Sequence, residues 1–258
     1  MEMNHIRRGR GRPLLLIHGL GGSWRTWSPV LDALAAEREV IAIDLPGHGE
    51  TPPLPGEVSM DTLADAVTSF LATHGLTGVD VVGNSMGARL VLELARRGVV
   101  GATVALDPGG FWKGWERGFF YATIALSIRL VRLLQPVMPR LTGSPVGRTL
   151  LFAQISARPW RIPADLALTE LRTFAASPSF DELVRRLAFG PAQQGAESTP
   201  GPVVIGWGRK DRLTLPRQAK RAMERFPNAR LYWFEESGHY PHWDAPEETV
   251  RLILASTG

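Results

Sequence analysis

The stretch VDVVGNSMGA, residues 79–88, decides the fold prediction because a short apolar strand runs directly into a helix around one serine. Ser85 lies between Gly83 and Gly87, and glycine lets neighbouring backbone approach where a Cβ would clash. Such a turn would expose Ser85 at a helix N-terminus, with the amide of Met86 directed at any developing negative charge. Two interpretations follow from these residues alone: an activated nucleophile, or an ordinary serine N-cap in a βα turn.

Short apolar runs alternate with amphipathic stretches on both sides of the middle of the chain. The predicted strands are residues 13–17, 40–43, 79–83, 102–106, 203–207 and 231–234. The predicted helices are residues 26–36, 60–74, 86–97, 216–225 and 246–255. This alternation is typical of a mostly parallel sheet in an α/β domain. Residues 3–8 are predicted to add a strand that pairs with strand 13–17 through Gly9-Arg10-Gly11.

Residues 111–195 interrupt the alternation. They contain a long apolar stretch at 119–134, then several prolines and further helical pieces. We predict an inserted helical cap, or lid, over residues 111–195 and a core domain formed by residues 1–110 and 196–258. The aromatic residues at the start of the lid should form mainly its core, while another face of this cluster contacts substrate. They are Phe111, Trp112, Trp115, Phe119, Phe120 and Tyr121. An insertion after a sheet strand falls above the carboxyl ends of the strands, where open α/β sheets bind ligands.

The net charge of +4 is unevenly distributed along the chain. Residues 111–195 hold eleven Lys+Arg against five Asp+Glu, whereas the remainder holds 18 against 20. No basic stripe is interleaved with exposed aromatic residues, so we expect no nucleic-acid partner. The chain has no cysteine, and its six histidines show no metal-ligand spacing, so we predict neither a metal nor another cofactor.

No apolar stretch of signal-peptide length follows the first arginines, and no window approaches the roughly 18 apolar residues of a membrane span. We therefore expect a soluble, cytoplasmic protein without stable membrane insertion. The sequence leaves its oligomeric state open.

Four further motifs each follow a predicted strand, at the same edge of the sheet. They are LLLIHGLGG at 14–22, DLPGHG at 44–49, GWGRKD at 206–211 and GHYP at 238–241. In this order, together with the G-x-S-x-G turn, they make the chain resemble the α/β-hydrolase family, in its serine-nucleophile esterase branch with a helical lid. Only 17 residues precede His18. The resemblance therefore implies a sheet of about seven strands, with the family's first antiparallel strand missing.

The resemblance also implies a role for particular residues. Ser85 would be the nucleophile, His239 the general base and Asp211 the carboxylate that orients the imidazole. The backbone amides of Leu20 and Met86 would form the oxyanion hole.

Other candidate residues have weaker assignments. Asp107 also ends a strand and is the alternative acid to Asp211. Asp44 is expected to hold its loop, and His18 to brace the oxyanion turn. His48 and His242 are expected to be loop or surface histidines.

The leading functional hypothesis is a serine hydrolase that cleaves a carboxylic ester or related acyl bond through an acyl-enzyme. The aromatic, arginine-bearing lid favours a bulky apolar or weakly anionic small molecule, such as an apolar or aromatic acyl compound. One alternative keeps the same residues and cleaves a carbon–carbon bond of a diketone-type substrate. Another is a non-catalytic ligand-binding protein on this fold. A further one is a lipase-like enzyme whose lid segment 119–134 touches anionic lipid.

Overall fold

Seven strands form one sheet in the computed structural model, which describes residues 2–258. The strands are β1 His5–Arg8, β2 Pro13–Ile17, β3 Glu39–Ile43, β4 Asp80–Asn84, β5 Thr103–Leu106, β6 Val203–Gly208 and β7 Arg230–Phe234. Their order across the sheet is β1-β3-β2-β4-β5-β6-β7. Only β1 runs antiparallel to its neighbour; the other five pairings are parallel. The predicted mostly parallel sheet of about seven strands is confirmed.

The predicted pairing of the first strand is wrong. Strand β1 pairs with β3, where His5 lies opposite Ile43, and not with β2. Both edges of β2 are already occupied, by β3 and β4, so no edge remains for a hairpin partner. Gly9, at φ +80°, begins the turn after β1; a Cβ there would lie 2.2 Å from the carbonyl oxygen of Ala35.

The central strands are buried on both faces, as expected for a parallel sheet covered by helices. Leu15 and Ile17 of β2 belong to the larger apolar cluster, which includes residues of the helices before and after β4. Leu14 and Leu16 point to the opposite face and pack in a second cluster. This two-residue alternation is why β2, whose residues are all apolar, supports helices on both sides.

Helices fill the connections between strands. Those that alternate with the strands are α1 Ser28–Ala35, α2 Met60–Thr73, α3 Met86–Arg96, α9 Gln218–Arg225, α10 Pro241–Asp244 and α11 Pro246–Ser256. A 3-10 helix at Trp24–Trp27 precedes α1, so the predicted helix 26–36 begins in a different helical form.

Five helices lie between β5 and β6, and we refer to them as the helical insertion. They are α4 Glu116–Leu133, α5 Met138–Gly143, α6 Pro145–Phe152, α7 Ala164–Ala176 and α8 Phe180–Phe189. The division into a core and a cap at residues 111–195 stays a prediction. Within residues 2–258, no single helix has the length and apolarity to cross a membrane. Helix α4 and the stretch Gln135–Gly143 meet that criterion only as a pair, bent by 62°.

Glu170 connects the helical insertion to the sheet domain through a buried carboxyl group. It lies on α7, and its Oε1 accepts a hydrogen bond of 2.9 Å from the hydroxyl of Thr26. Its Oε2 has no hydrogen-bond partner among residues 2–258. Burial raises the pKa of Glu170 to about 8; the charge of Asp44 raises it as well, while Thr26 and Arg25 act in the opposite direction. The carboxyl group is therefore mostly protonated at neutral pH.

We predict that Glu170→Gln stabilises the protein at alkaline pH. Between the ordinary pKa of 4.5 and the raised value of about 8, the folded state binds more protons than the unfolded state. The free energy of unfolding contributed by this group therefore falls as pH rises through that window. Urea unfolding should show the variant close to wild type at pH 5 and more stable at pH 8, by a few kcal/mol. A stability difference that does not change with pH would contradict a buried neutral carboxyl group.

Candidate active site

Ser85 occupies a sharp turn between β4 and α3. Its backbone has φ +57° and ψ −115°, in the left-handed half of the Ramachandran plot that residues with a Cβ rarely adopt. The Ser85 amide donates to the carbonyl of Leu106 at 2.9 Å, and its carbonyl accepts from the amide of Arg89 at 3.0 Å. These bonds hold the strained residue between the neighbouring strand and the first turn of α3.

The glycines around Ser85 are required by close backbone packing. A Cβ at Gly83 would lie 2.2 Å from the carbonyl oxygen of Gly87. A Cβ at Gly87 would lie 2.3 Å from the carbonyl oxygen of Ile17, at the end of β2. Both distances are shorter than any van der Waals contact, so the turn fits against β2 only when these positions carry no side chain.

Asp211 and His239 meet beyond the ends of β6 and β7. The Oδ2 atom of Asp211 accepts a hydrogen bond of 2.8 Å from Nδ1 of His239. Its Oδ1 atom accepts hydrogen bonds from the backbone amides of Leu213 and Thr214, at 2.7 and 3.0 Å. Both side chains are buried. The carboxylate is therefore fixed in one orientation and holds the imidazole by its Nδ1 edge.

Two side chains of this site are missed by the sequence reasoning. The hydroxyl of Thr214 donates to Oδ2 of Asp211 at 2.6 Å and lies 3.1 Å from Nδ1 of His239. Asn84 donates through Nδ2 to the backbone carbonyl of His239 at 3.0 Å. The first contact has a local signal, because an aspartate followed three residues later by threonine can form a side-chain capped turn. The second has none, since Asn84 occupies the variable position before Ser85.

Asp107, the alternative acid, lies close to this pair without a hydrogen bond to the histidine. Its Oδ1 accepts the amide of Gly208 at 2.8 Å, and its Oδ2 has no partner among residues 2–258. Burial, followed by the negative charge of Asp211, raises the pKa of Asp107 well above its usual range. In the described part of the chain, Asp107, Asp211 and His239 form the one group close enough to ligate a metal ion, and Nδ1 of His239 is already bonded to Asp211.

His18 braces the loop that contains Leu20. Its Nε2 accepts the amide of Leu45 at 3.0 Å, so the remaining ring proton lies on Nδ1 and is donated to the carbonyl of Gly19 at 2.7 Å. Burial lowers the pKa of His18 to about 4, and the ring is neutral at physiological pH. Both ring nitrogens are therefore engaged in holding two loops together.

Asp44 holds the loop after β3. Its carboxylate accepts the backbone amides of Trp24 at 2.7 Å and Glu50 at 3.0 Å, and the side-chain amide of Asn4 at 2.7 Å. It makes no hydrogen bond to a histidine within residues 2–258.

Of the two histidines expected in loops or on the surface, His48 lies in a loop and His242 in α10, and both are buried. His48 packs against His18, with ring centroids 5.2 Å apart, and His242 packs against Trp27 at 4.6 Å. Burial lowers the pKa of each to about 3, with smaller contributions from His18 and His239 respectively. The sequence does not show that these two segments fold inward against aromatic rings.

Ser85 and His239 line a single cavity of about 100 Å³ between the sheet and the helical insertion. Trp112 stacks on Phe120 with centroids 4.6 Å apart, and both line this cavity, so part of the aromatic cluster contributes to its wall. Trp115, by contrast, is 62% exposed. The lining comes mainly from apolar side chains and contains no Asp, Glu, Lys or Arg in the described chain.

The two expected oxyanion-hole residues reach the same cavity. Leu20 and Met86 both line it beside Ser85. Met86 is the first residue of α3, where the helix dipole places partial positive charge. The amides of Leu20 and Met86 donate to no acceptor within residues 2–258. Both donors are therefore available to a bound molecule.

We predict that Asp211→Asn and Asp107→Asn differ strongly in turnover of a soluble p-nitrophenyl ester. The first change leaves an amide facing Nδ1 of His239 and favours the wrong tautomer, so kcat should fall about 10⁴-fold. The second replaces a carboxyl group that makes no hydrogen bond to His239, so kcat should stay within about fivefold of wild type.

Steady-state kinetics on both purified variants, with circular dichroism to confirm folding, make this comparison. A fall in Asp107→Asn as large as that in Asp211→Asn would make Asp107 the acid.

Comparison with known proteins gives a family match and several relatives. A sequence model described as "Alpha/beta hydrolase family" matches residues 14–252. The chain is 28% identical over 261 residues to an uncharacterized protein of Mycobacterium tuberculosis, covering 95% of this chain and 75% of that protein. It is 26% identical over 268 residues to 2-hydroxy-6-oxononadienedioate/2-hydroxy-6-oxononatrienedioate hydrolase 2 of Pseudomonas putida, covering 98% and 91%.

A solved structure has the same fold. This is a thermophilic esterase from Thermogutta terrifontis, with a TM-score of 0.74 and 20% identity over 98% of this chain and 92% of that one. The predicted fold is confirmed.

Proposed function

Because this chain belongs to the alpha/beta hydrolase family, we propose that it is a serine hydrolase acting on a carboxylic ester or related acyl bond. The observation that carries the proposal is the hydrogen bond of 2.8 Å between Asp211 and His239, on a histidine that shares its cavity with Ser85. An acyl-enzyme on Ser85 divides the hydrolysis into two easier steps.

The first step is attack of the Ser85 hydroxyl on the acyl carbon. Nδ1 of His239 is engaged by Asp211, whereas its buried Nε2 has no hydrogen-bond partner in residues 2–258. Nε2 is thus the ring atom that can take the serine proton as the new C–O bond forms. Asp211 stabilises the imidazolium that results.

The carbonyl oxygen becomes negatively charged in this step. The amides of Leu20 and Met86 border the cavity and are the donors that would receive it, aided by the N-terminus of α3. His239 then gives its proton to the leaving alcohol, and a water molecule, deprotonated by the same nitrogen, releases the acid and restores Ser85.

The apolar lining of the cavity favours a substrate whose acyl group is neutral and apolar. At roughly 10–15 Å³ for each water-sized site, about 100 Å³ holds on the order of ten non-hydrogen atoms. The arginines of the helical insertion lie outside the lining. We therefore propose a medium-length aliphatic or an aromatic acyl chain, and set aside the weakly anionic substrate.

The alternatives have less support. The P. putida relative is named for substrates that are dioates and carry two carboxylates, and a lining without Lys or Arg offers such a substrate no ion pair. A non-catalytic binding protein would not need Ser85 in a strained backbone conformation or an imidazole held by a buried carboxylate. Ester hydrolysis accounts for both features.

We predict that Ser85→Ala lowers the kcat for p-nitrophenyl hexanoate by about 10⁶, because serine, histidine and aspartate act as one unit. The exposed Ser69→Ala, on the outside of α2, is the matched control and should leave kcat and KM unchanged. Hydrolysis is followed by release of p-nitrophenolate, and thermal unfolding verifies that both variants fold. If Ser85→Ala keeps a turnover close to that of the wild type, Ser85 is not the nucleophile.

A further inference from the structure

The exposed large apolar side chains of this protein all lie within or beside the helical insertion. They are Trp115, Leu126, Leu130, Leu133, Val137, Val146, Leu150, Trp160 and Phe189. Single exposed apolar residues are common on protein surfaces, but a concentration in one segment marks an interaction site. The sheet and its flanking helices, which form most of the chain, expose none of this class in residues 2–258.

Four of these residues follow one another along α4 and the turn after it, and we call them the exposed stripe: Leu126, Leu130, Leu133 and Val137. The spacing of the three leucines places them on one side of α4. Val137 follows in the 3-10 helix Gln135–Val137, after a bend of 62°. They are 59, 47, 74 and 41% exposed, respectively. Ile128 on the same helix is buried. Helix α4 therefore has one apolar face that packs inside the protein and a second that is open to its surroundings.

Helix α4, which carries three residues of the exposed stripe, also lines the cavity that contains Ser85. Ser127, next to Leu126 in the chain, is exposed and also lines that cavity. Leu151 lines it too, and the preceding residue, Leu150, is 78% exposed. Helices α4 and α6 thus both line the cavity and carry exposed apolar side chains on the protein surface.

The chain segment that carries the exposed stripe has charged residues of one sign only. Residues 117–164 contain no Asp or Glu. The arginines of this segment are Arg117, Arg129, Arg132, Arg140, Arg148, Arg158 and Arg161. Arg129, within the span of the stripe, and Arg140, just after it, are exposed and form no salt bridge in the described chain. Arg132 is neutralised by Asp181 at 2.7 Å.

We propose that residues 117–164 dock onto an anionic lipid surface, with the exposed stripe entering the boundary between headgroups and acyl chains. An apolar surface with two unpaired arginines matches that lipid surface in both hydrophobicity and charge. A second copy of the chain is a poorer match, because a two-fold interface places the unpaired arginines of this surface against themselves. Docking in this position brings the mouth of the cavity to the phase in which neutral apolar acyl compounds dissolve. The inference concerns a surface outside Ser85, His239 and Asp211 and goes beyond the proposed function.

Vesicle flotation tests the proposal on the full chain. Vesicles of phosphatidylcholine alone are compared with vesicles containing about 30% phosphatidylglycerol, at low and at physiological salt. The wild-type protein and Ser85→Ala should bind the anionic vesicles equally, at least about tenfold more strongly than the neutral ones, because docking does not use the serine. Higher salt should weaken this binding by screening the arginines.

Surface variants separate the two components of docking. Arg129→Gln/Arg140→Gln should weaken binding to anionic vesicles by roughly fivefold for each charge removed. Leu126→Gln/Leu130→Gln should weaken binding to both kinds of vesicle by more than about tenfold. The matched control, Arg10→Gln/Arg251→Gln, removes two exposed charges outside the insertion and should bind as the wild type does.

Two results would overturn the docking proposal. One is wild-type flotation no greater with anionic than with neutral vesicles. The other is a wild-type dimer in light scattering that the leucine pair converts to a monomer without changing flotation, which would assign the stripe to a second copy. Neither result tests the proposed function, which is tested separately by hydrolysis of a soluble ester. Conversely, a wild-type protein that floats with anionic vesicles but does not hydrolyse the ester would support docking and contradict the proposed hydrolase activity.

Discussion

Close backbone packing around Gly83-Asn84-Ser85-Met86-Gly87 is the constraint on which the rest of the site depends. Strand β2 can pass beside the turn only because Gly87 has no Cβ to meet its carbonyl oxygens. Ser85 is thereby held in a backbone conformation that costs about 1–3 kcal/mol, offset by the burial of β4 and α3 on either side. The same turn starts α3 and so places the amide of Met86 beside the serine.

Burial gives two neighbouring carboxyl groups different surroundings. Asp211 receives four hydrogen-bond donors, from two backbone amides, Thr214 and His239. Asp107 receives one, from Gly208, and burial raises its pKa. The imidazolium that forms on His239 is therefore bonded to one of the two carboxyl groups, that of Asp211.

The sequence predicted the regular parts of the fold because buried parallel strands leave a strong pattern. Strand β2 has the predicted bounds, and the other predicted strands differ by a residue or so. The partner of β1 was missed, since it depends on which edge of the assembled sheet is free. Thr214 and the buried positions of His48 and His242 were missed because they arise where separate loops meet. The charge of the insertion was visible in the sequence, but its location outside the cavity was not.

His239 and Asp211 activate Ser85 in the proposed mechanism, and the reactivity of this serine can be measured. The purified protein is treated with a fluorophosphonate, and its peptides are analysed by mass spectrometry. The account predicts one adduct per chain, on Ser85, formed in the wild type and at least about 10³-fold more slowly in His239→Gln. Modification at a different residue, or equal rates in wild type and His239→Gln, would contradict it.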